Sequence, residues 1–176
     1  MTDYSKIINL VLDAKKLFKP ALEEKDIHLK GNADFVTAAD LNISSFLKKA
    51  FKNIDPAIGF FTEEESGTLS DPCWILDPID GTANYVYGYN MSSISLGMYA
   101  DGKIQFGIVY NPFSEECFTA QRGKGAFLGK KKLCVSNREI GQSLVEFGAG
   151  STRKDDADTN FAIAKDIFKH CVDLRR

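Results

Sequence analysis

The chain has 176 residues, 44% of them apolar and 26% charged, which is enough to bury one sizeable core over 1-176 and excludes the disordered and fibrous classes. A formal net charge of -2, with acids and bases interspersed, gives no footprint for a nucleic-acid duplex or an anionic membrane, so neither is expected as a partner. The cysteines at 73, 117, 134 and 171 lack the paired short spacing of a zinc site and follow no export segment, and no stretch approaches membrane-spanning length. Reduced, mostly buried thiols in a cytoplasmic protein are therefore expected.

In chain order, Ile7, Ile8, Val11, Ala14 and Phe18 recur at helical spacing from about Tyr4, and Pro20 should stop that helix. A second helix carries Ile43, Phe46, Leu47, Ala50, Phe51 and Ile54 on one stripe, with Thr37 and Asp40 ahead of it in a capping-box pattern. The apolar run Cys73 to Leu76 reads as a buried strand ending in a sharp turn at DPIDGTAN, residues 77 to 84. Ile94, Leu96 and Met98 then alternate up to Asp101-Gly102, and Ile104, Phe106, Ile108 and Tyr110 alternate on the return, predicting a hairpin. Short strands are expected around Cys117 to Ala120, Ala126 to Leu128 and Leu144 to Phe147. A final helix is expected from Asp158 or Thr159 through Val172 almost to the chain's end. Helices bracketing antiparallel strands predict an α+β layered sandwich.

The chemistry must come from acids. His28 and His170 stand in no hydrolase signature and read as surface or edge residues. Acids gather in three segments: ADFVTAAD at 33 to 40, TEEES at 62 to 66, and DPIDGTAN. Asp-Pro followed by Gly is good turn chemistry, but a turn does not require the second acid, Asp80, beside Gly-Thr. Carboxylates at the end of a buried strand are costly unless cations offset them, and all-oxygen donors suit hard divalent ions. Gly81 and Thr82 can meanwhile offer backbone N–H groups to a phosphate. Asp40 also reads as a plain helix cap, Glu64 and Glu65 as solvated charges, and Asn84 as a turn or framework residue. Tyr85, Tyr87 and Tyr89 read as packing or rim residues.

DPIDGTAN preceded by Trp74-Ile75-Leu76, together with ADFVTAAD, TEEES and RGKGAFLGKKKLCVS at 122 to 136, resembles the inositol monophosphatase family. That resemblance implies a lithium-sensitive, magnesium-dependent phosphatase of small phosphate monoesters, working with two magnesium ions or three. It implies Glu63, Asp77 and the Ile79 carbonyl as ligands of one magnesium, and Asp77 with Asp80 on a second. By the same resemblance Thr82, hydrogen-bonded to Asp40, orients the attacking water, giving catalytic roles to Thr82, Asp40 and Glu63. Asp80, Gly81 and Thr82 face the phosphate, with Asp34 and Glu64 behind the ligands or near a third, weaker ion. Glu63 is preferred to Glu64 and Glu65 because its spacing from Asp40, counted through the helix and Pro56, fits the family. Attack is expected to be in line, without a phosphoenzyme.

The family's second half carries a Trp-Asp motif whose aspartate completes the second metal site, whereas this chain holds one tryptophan and reaches Arg176. The expectation is accordingly the N-terminal portion of such a phosphatase, with the second site incomplete. Thr82 followed by Asn84 favours the inositol monophosphatase type, and a homodimer is implied. Sugar bisphosphate, nucleotide and histidinol phosphate substrates stay open, as does a catalytically incomplete binding module.

Overall fold

The structure is a computed structural model describing residues 4–19, 22–23, 26–31, 34–64, 68–150 and 153–175, with the side chains of 30, 31 and 34 outside that description. The readings of Pro20, Glu65 and the Asp34 side chain lie outside the described residues. By their internal contacts the residues form two compact units, Met1–Lys30 with Phe35–Leu133, and Gly31–Asp34 with Cys134–Arg176, where one unit over 1-176 was expected.

Helix α1 (Ser5–Asp13) runs into a 3-10 turn through Leu17, and α2 (Ala38–Ile54) follows a two-stranded sheet of β1 (Ile27–Gly31) and β2 (Asp34–Thr37). Then come β3 (Gly59–Thr62), β4 (Cys73–Asp80), the short α3 (Thr82–Val86), β5 (Ser93–Ala100), β6 (Lys103–Asn111), β7 (Glu116–Gln121), β8 (Gly125–Leu128) and β9 (Lys131–Leu133). Among the described residues, β3 to β9 lie in sequence order in one sheet, with β3 parallel to β4 and each later neighbour antiparallel.

Alternation decides which face is buried. On β5 the residues Ile94, Leu96 and Met98 are buried between less buried neighbours, and Phe106, Ile108 and Tyr110 continue the same face on β6. Ile7 and Val11 of α1, with Ile43, Leu47 and Phe51 of α2, join these strands in one core, so two helices layer onto one face of the sheet. The hairpin turn is Asp101-Gly102 with φ 55° and 68°, the two left-handed residues of a type I′ turn. Asp71 caps it, accepting from both backbone N–H groups at 3.0 and 2.9 Å.

The second unit contains β10 (Leu144–Glu146), α4 (Ala157–Phe168) and β11 (Asp173–Arg175), with β10 and β11 parallel. The final helix therefore stops at Phe168, four residues short of Val172. His170 makes a three-residue turn bond to Ile167, and the Val172 N–H donates to the Ser143 carbonyl, leading the chain into the parallel ladder. The cysteines are free, but only Cys73 is fully buried, Cys117 and Cys171 being half-buried and Cys134 exposed.

Candidate functional site

Strand β4 carries the DPID motif further than its turn-like composition predicts. Instead of turning at Asp77, the strand pairs with β5 as far as Asp80↔Ser93, with its register shifting between Asp77 and Asp80. Proline cannot donate to a ladder and is tolerated at such a bulge, and Pro78 sits there fully buried. The bulge leaves Asp77 half-buried and Asp80 exposed at the strand's end. Because β3 runs parallel beside β4, Thr62 pairs with Leu76, and Glu63 leaves β3 just where Asp77 follows. Topology thus brings together acids fourteen residues apart in the chain.

The local geometry follows from orphan backbone groups. The Asp77 carboxylate accepts from the Ile79 N–H at 3.1 Å, and the Ile79 carbonyl accepts from the Thr82 hydroxyl at 2.8 Å. Gly81 has φ +81° and caps α3, and a Cβ there would lie 3.0 Å from the Met91 carbonyl oxygen, so glycine is required twice over. Asn84 donates to the Met91 carbonyl at 2.8 Å, which makes it a framework residue, and Ser92, which no sequence signal marks, donates to the Gly81 carbonyl at 2.9 Å.

Asp40 is fully buried in the first turn of α2. One of its oxygens accepts both the N–H and the hydroxyl of Thr37, at 2.7 and 2.6 Å, completing the expected capping box. Its other oxygen, Oδ1, is buried with no hydrogen-bond partner among the described residues. The expected bond from Thr82 to Asp40 is therefore not made. Thr82 has a single proton to donate, and the Ile79 carbonyl three residues back in the bulge takes it.

Charge at the site is strained in one direction. Burial pushes the Asp77 carboxyl up to about 7; the Glu63 and Asp80 carboxylates each oppose its ionisation, and Glu63 lies within hydrogen-bonding reach. Burial likewise pushes Asp40 up to about 6 against the pull of the Thr37 donors, and Glu64 adds repulsion. Glu63 is exposed and Glu64 half-buried, with the Glu64 N–H 3.5 Å from the Thr62 hydroxyl.

The two acids meet at Asp77, yet among the described residues no three of His, Cys, Asp and Glu stand in a ready metal cage. The donor set is still one that suits a hard cation. It offers carboxylate and carbonyl oxygens only, a carboxyl that burial and then its like-charged neighbours push up to about 7, and one buried carboxylate oxygen without a donor among the described residues. Tyr85 is buried and exchanges hydrogen bonds with the Lys19 backbone, a packing residue as expected, while Tyr87 and Tyr89 are exposed.

Comparison with known proteins places this arrangement. Inositol monophosphatase 1 of Bos taurus is 38% identical over 160 residues, covering 86% of this chain and 57% of its own length. The chain spans about half the length of the curated relatives it matches. The extragenic suppressor protein suhB of Bartonella henselae superposes with a TM-score of 0.89 at 27% identity, over 97% of this chain and 68% of that one. SaIMPase-II of Staphylococcus aureus, solved with 2′-AMP bound, gives 0.77 at 27% identity, over 98% and 64%. The α+β layered fold is the one these structures share. A sequence model described as the inositol monophosphatase family matches residues 3–176, and with Glu63, Asp77 and Asp80 brought together on that fold, the chain belongs to the inositol monophosphatase family.

Proposed function

We propose that this chain carries the acidic half of a magnesium-dependent phosphatase site that hydrolyses a small phosphate monoester such as inositol 1-phosphate. The observation that carries the proposal is the half-buried Asp77, whose carboxyl is pushed up by burial and by the Glu63 and Asp80 charges, repulsion that a bound cation would offset. Glu63, Asp77 and the Ile79 carbonyl would hold one magnesium, and Asp77 with Asp80 a second. When bound, the metal supplies an acidified water and neutralises the phosphoryl oxygens.

The chain's own residues do the rest. The Ile79 carbonyl, although it accepts from Thr82, keeps a second lone pair for a ligand. Thr82, its proton committed to Ile79, presents acceptor lone pairs toward a water proton, and Asp40 adds a fixed negative charge from α2. The N–H groups of Gly81 and Thr82, at the start of α3, would meet phosphoryl oxygens. A phosphorylated small-molecule ligand is also what SaIMPase-II holds, as 2′-AMP. A homodimer, which the family resemblance implies, and a cytoplasmic setting belong to the same reading.

The test is magnesium-dependent phosphate release from inositol 1-phosphate by the wild type and Asp77→Asn. We expect the variant to lose about a hundredfold or more of the rate, corresponding to about 2.7 kcal/mol of transition-state stabilisation. Equal release by the two proteins overturns the proposal.

A further inference from the structure

Outside the acidic cluster, a concavity of about 350 Å3 runs along α2, lined by Ser45, Lys48, Lys49, Lys52 and Glu64 together with Leu41. Positions 41, 45, 48, 49 and 52 fall at i, i+4, i+7, i+8 and i+11, so a single helix face supplies the hydroxyl and all three ammonium groups. Lys48 and Glu64 are already engaged by neighbouring groups. Among the described residues, Lys49 and Lys52 make no ion pair, and both are exposed.

Helix stability alone does not account for this grouping. Lys52 lies in the last turn, where the helix dipole favours a cation, but Lys48 and Lys49 stand further in, and each repels Lys52 at i+4 or i+3. Among the described residues, a chain with a net charge of -2 thus gathers three lysines against one carboxylate in a concave volume. Glu64 also acts on Asp40 through its charge, so the basic face borders the acidic cluster without sharing its ligands. From Lys49 to Lys52 the helix rises about 4.5 Å, a span that two linked phosphoryl groups can bridge between flexible lysine arms. Nucleic acid fits less well, because Glu64 bounds the face and it does not extend into a stripe.

We propose that this face of α2 binds a compact polyanion carrying two or more phosphoryl groups, at a site separate from the Asp77 cluster and independent of the function proposed for it. Pyrophosphate is the probe, titrated calorimetrically into metal-free protein at low ionic strength, with inorganic phosphate as comparison. Pyrophosphate is expected to bind more tightly than phosphate and to weaken steeply with added salt. The double variant Lys49→Gln with Lys52→Gln is expected to lose about tenfold in affinity, the sum of two exposed charge pairs. Glutamine is a good helix former, so circular dichroism should be unchanged. Lys49→Arg with Lys52→Arg should retain binding, and so should Asp77→Asn. Absence of binding, equal affinity in the wild type and the glutamine variant, or loss in Asp77→Asn alone each overturns the proposal. So does binding of an acidic peptide in preference to pyrophosphate.

Discussion

Asp40 and Asp77 hold their protons to about pH 6 and pH 7, whereas an unfolded aspartate releases its proton near ~3.9. Between those limits the folded metal-free protein binds more protons than the unfolded chain, so its stability must fall as pH rises. The contribution is fully present below about pH 3.9 and is lost as pH passes through about 6 and then about 7. Urea unfolding in chelator at several pH values should show this decline, and Asp77→Asn should flatten its upper part; stability that climbs over the same window would contradict the assignment. Magnesium competes with the same protons, so its affinity should rise with pH up to about 7. For Asp40→Asn the expectation splits. The amide is neutral and keeps one acceptor for Thr37, so stability near pH 7 should change by less than about 1 kcal/mol while magnesium-dependent phosphate release falls at least tenfold.

At the scale of elements, the N-terminus of α2 and the junction of β4 with α3 each hang on one small residue. Thr37→Ala removes the hydroxyl donor to the buried Asp40, leaving only the backbone N–H, and removes the acceptor for the Ala39 N–H, which should cost about 1–2 kcal/mol in thermal unfolding, with Thr37→Ser restoring most of it. Gly81→Ala forces a side chain into a left-handed conformation with a carbonyl oxygen 3.0 Å from the new Cβ, and a loss of about 1–3 kcal/mol is expected. The capping box of α2 and the Asp101-Gly102 hairpin were legible beforehand, because each is local chemistry within four residues. The bulge in β4 was not. Asp-Pro followed by Gly scores as a turn on its own, and only the ladder with β5, ending at Asp80↔Ser93, holds the segment extended. The last helix was over-extended for a similar reason. Cys171 and Val172 continue its apolar spacing, yet Val172 is drawn away by a backbone partner, Ser143, twenty-nine residues earlier.

Across the whole molecule, burial is uneven. Nearly all buried apolar residues belong to the unit built on the long sheet, and Ala164 is the one described in the other. Amide exchange should therefore be slowest in β5 and β6, whose residues belong to the core, and faster through β10, α4 and β11, where few apolar residues are buried. Equal protection across both units would mean that burial does not set stability here. Strands β3, β9 and β11 were not read from the sequence, where three or four residues express little of a period.

The sequence by itself determined the elements with strong local signals, the alternating faces of β5 and β6, and which acids to watch, because periodicity, capping and turn chemistry act between near neighbours. Only the tertiary structure decided that β3 lies parallel beside β4, delivering Glu63 to Asp77, and that Thr82 bonds Ile79 rather than Asp40. Those outcomes depend on strand order and on competition among partners for a single proton, neither of which is written in the spacing of residues along the chain.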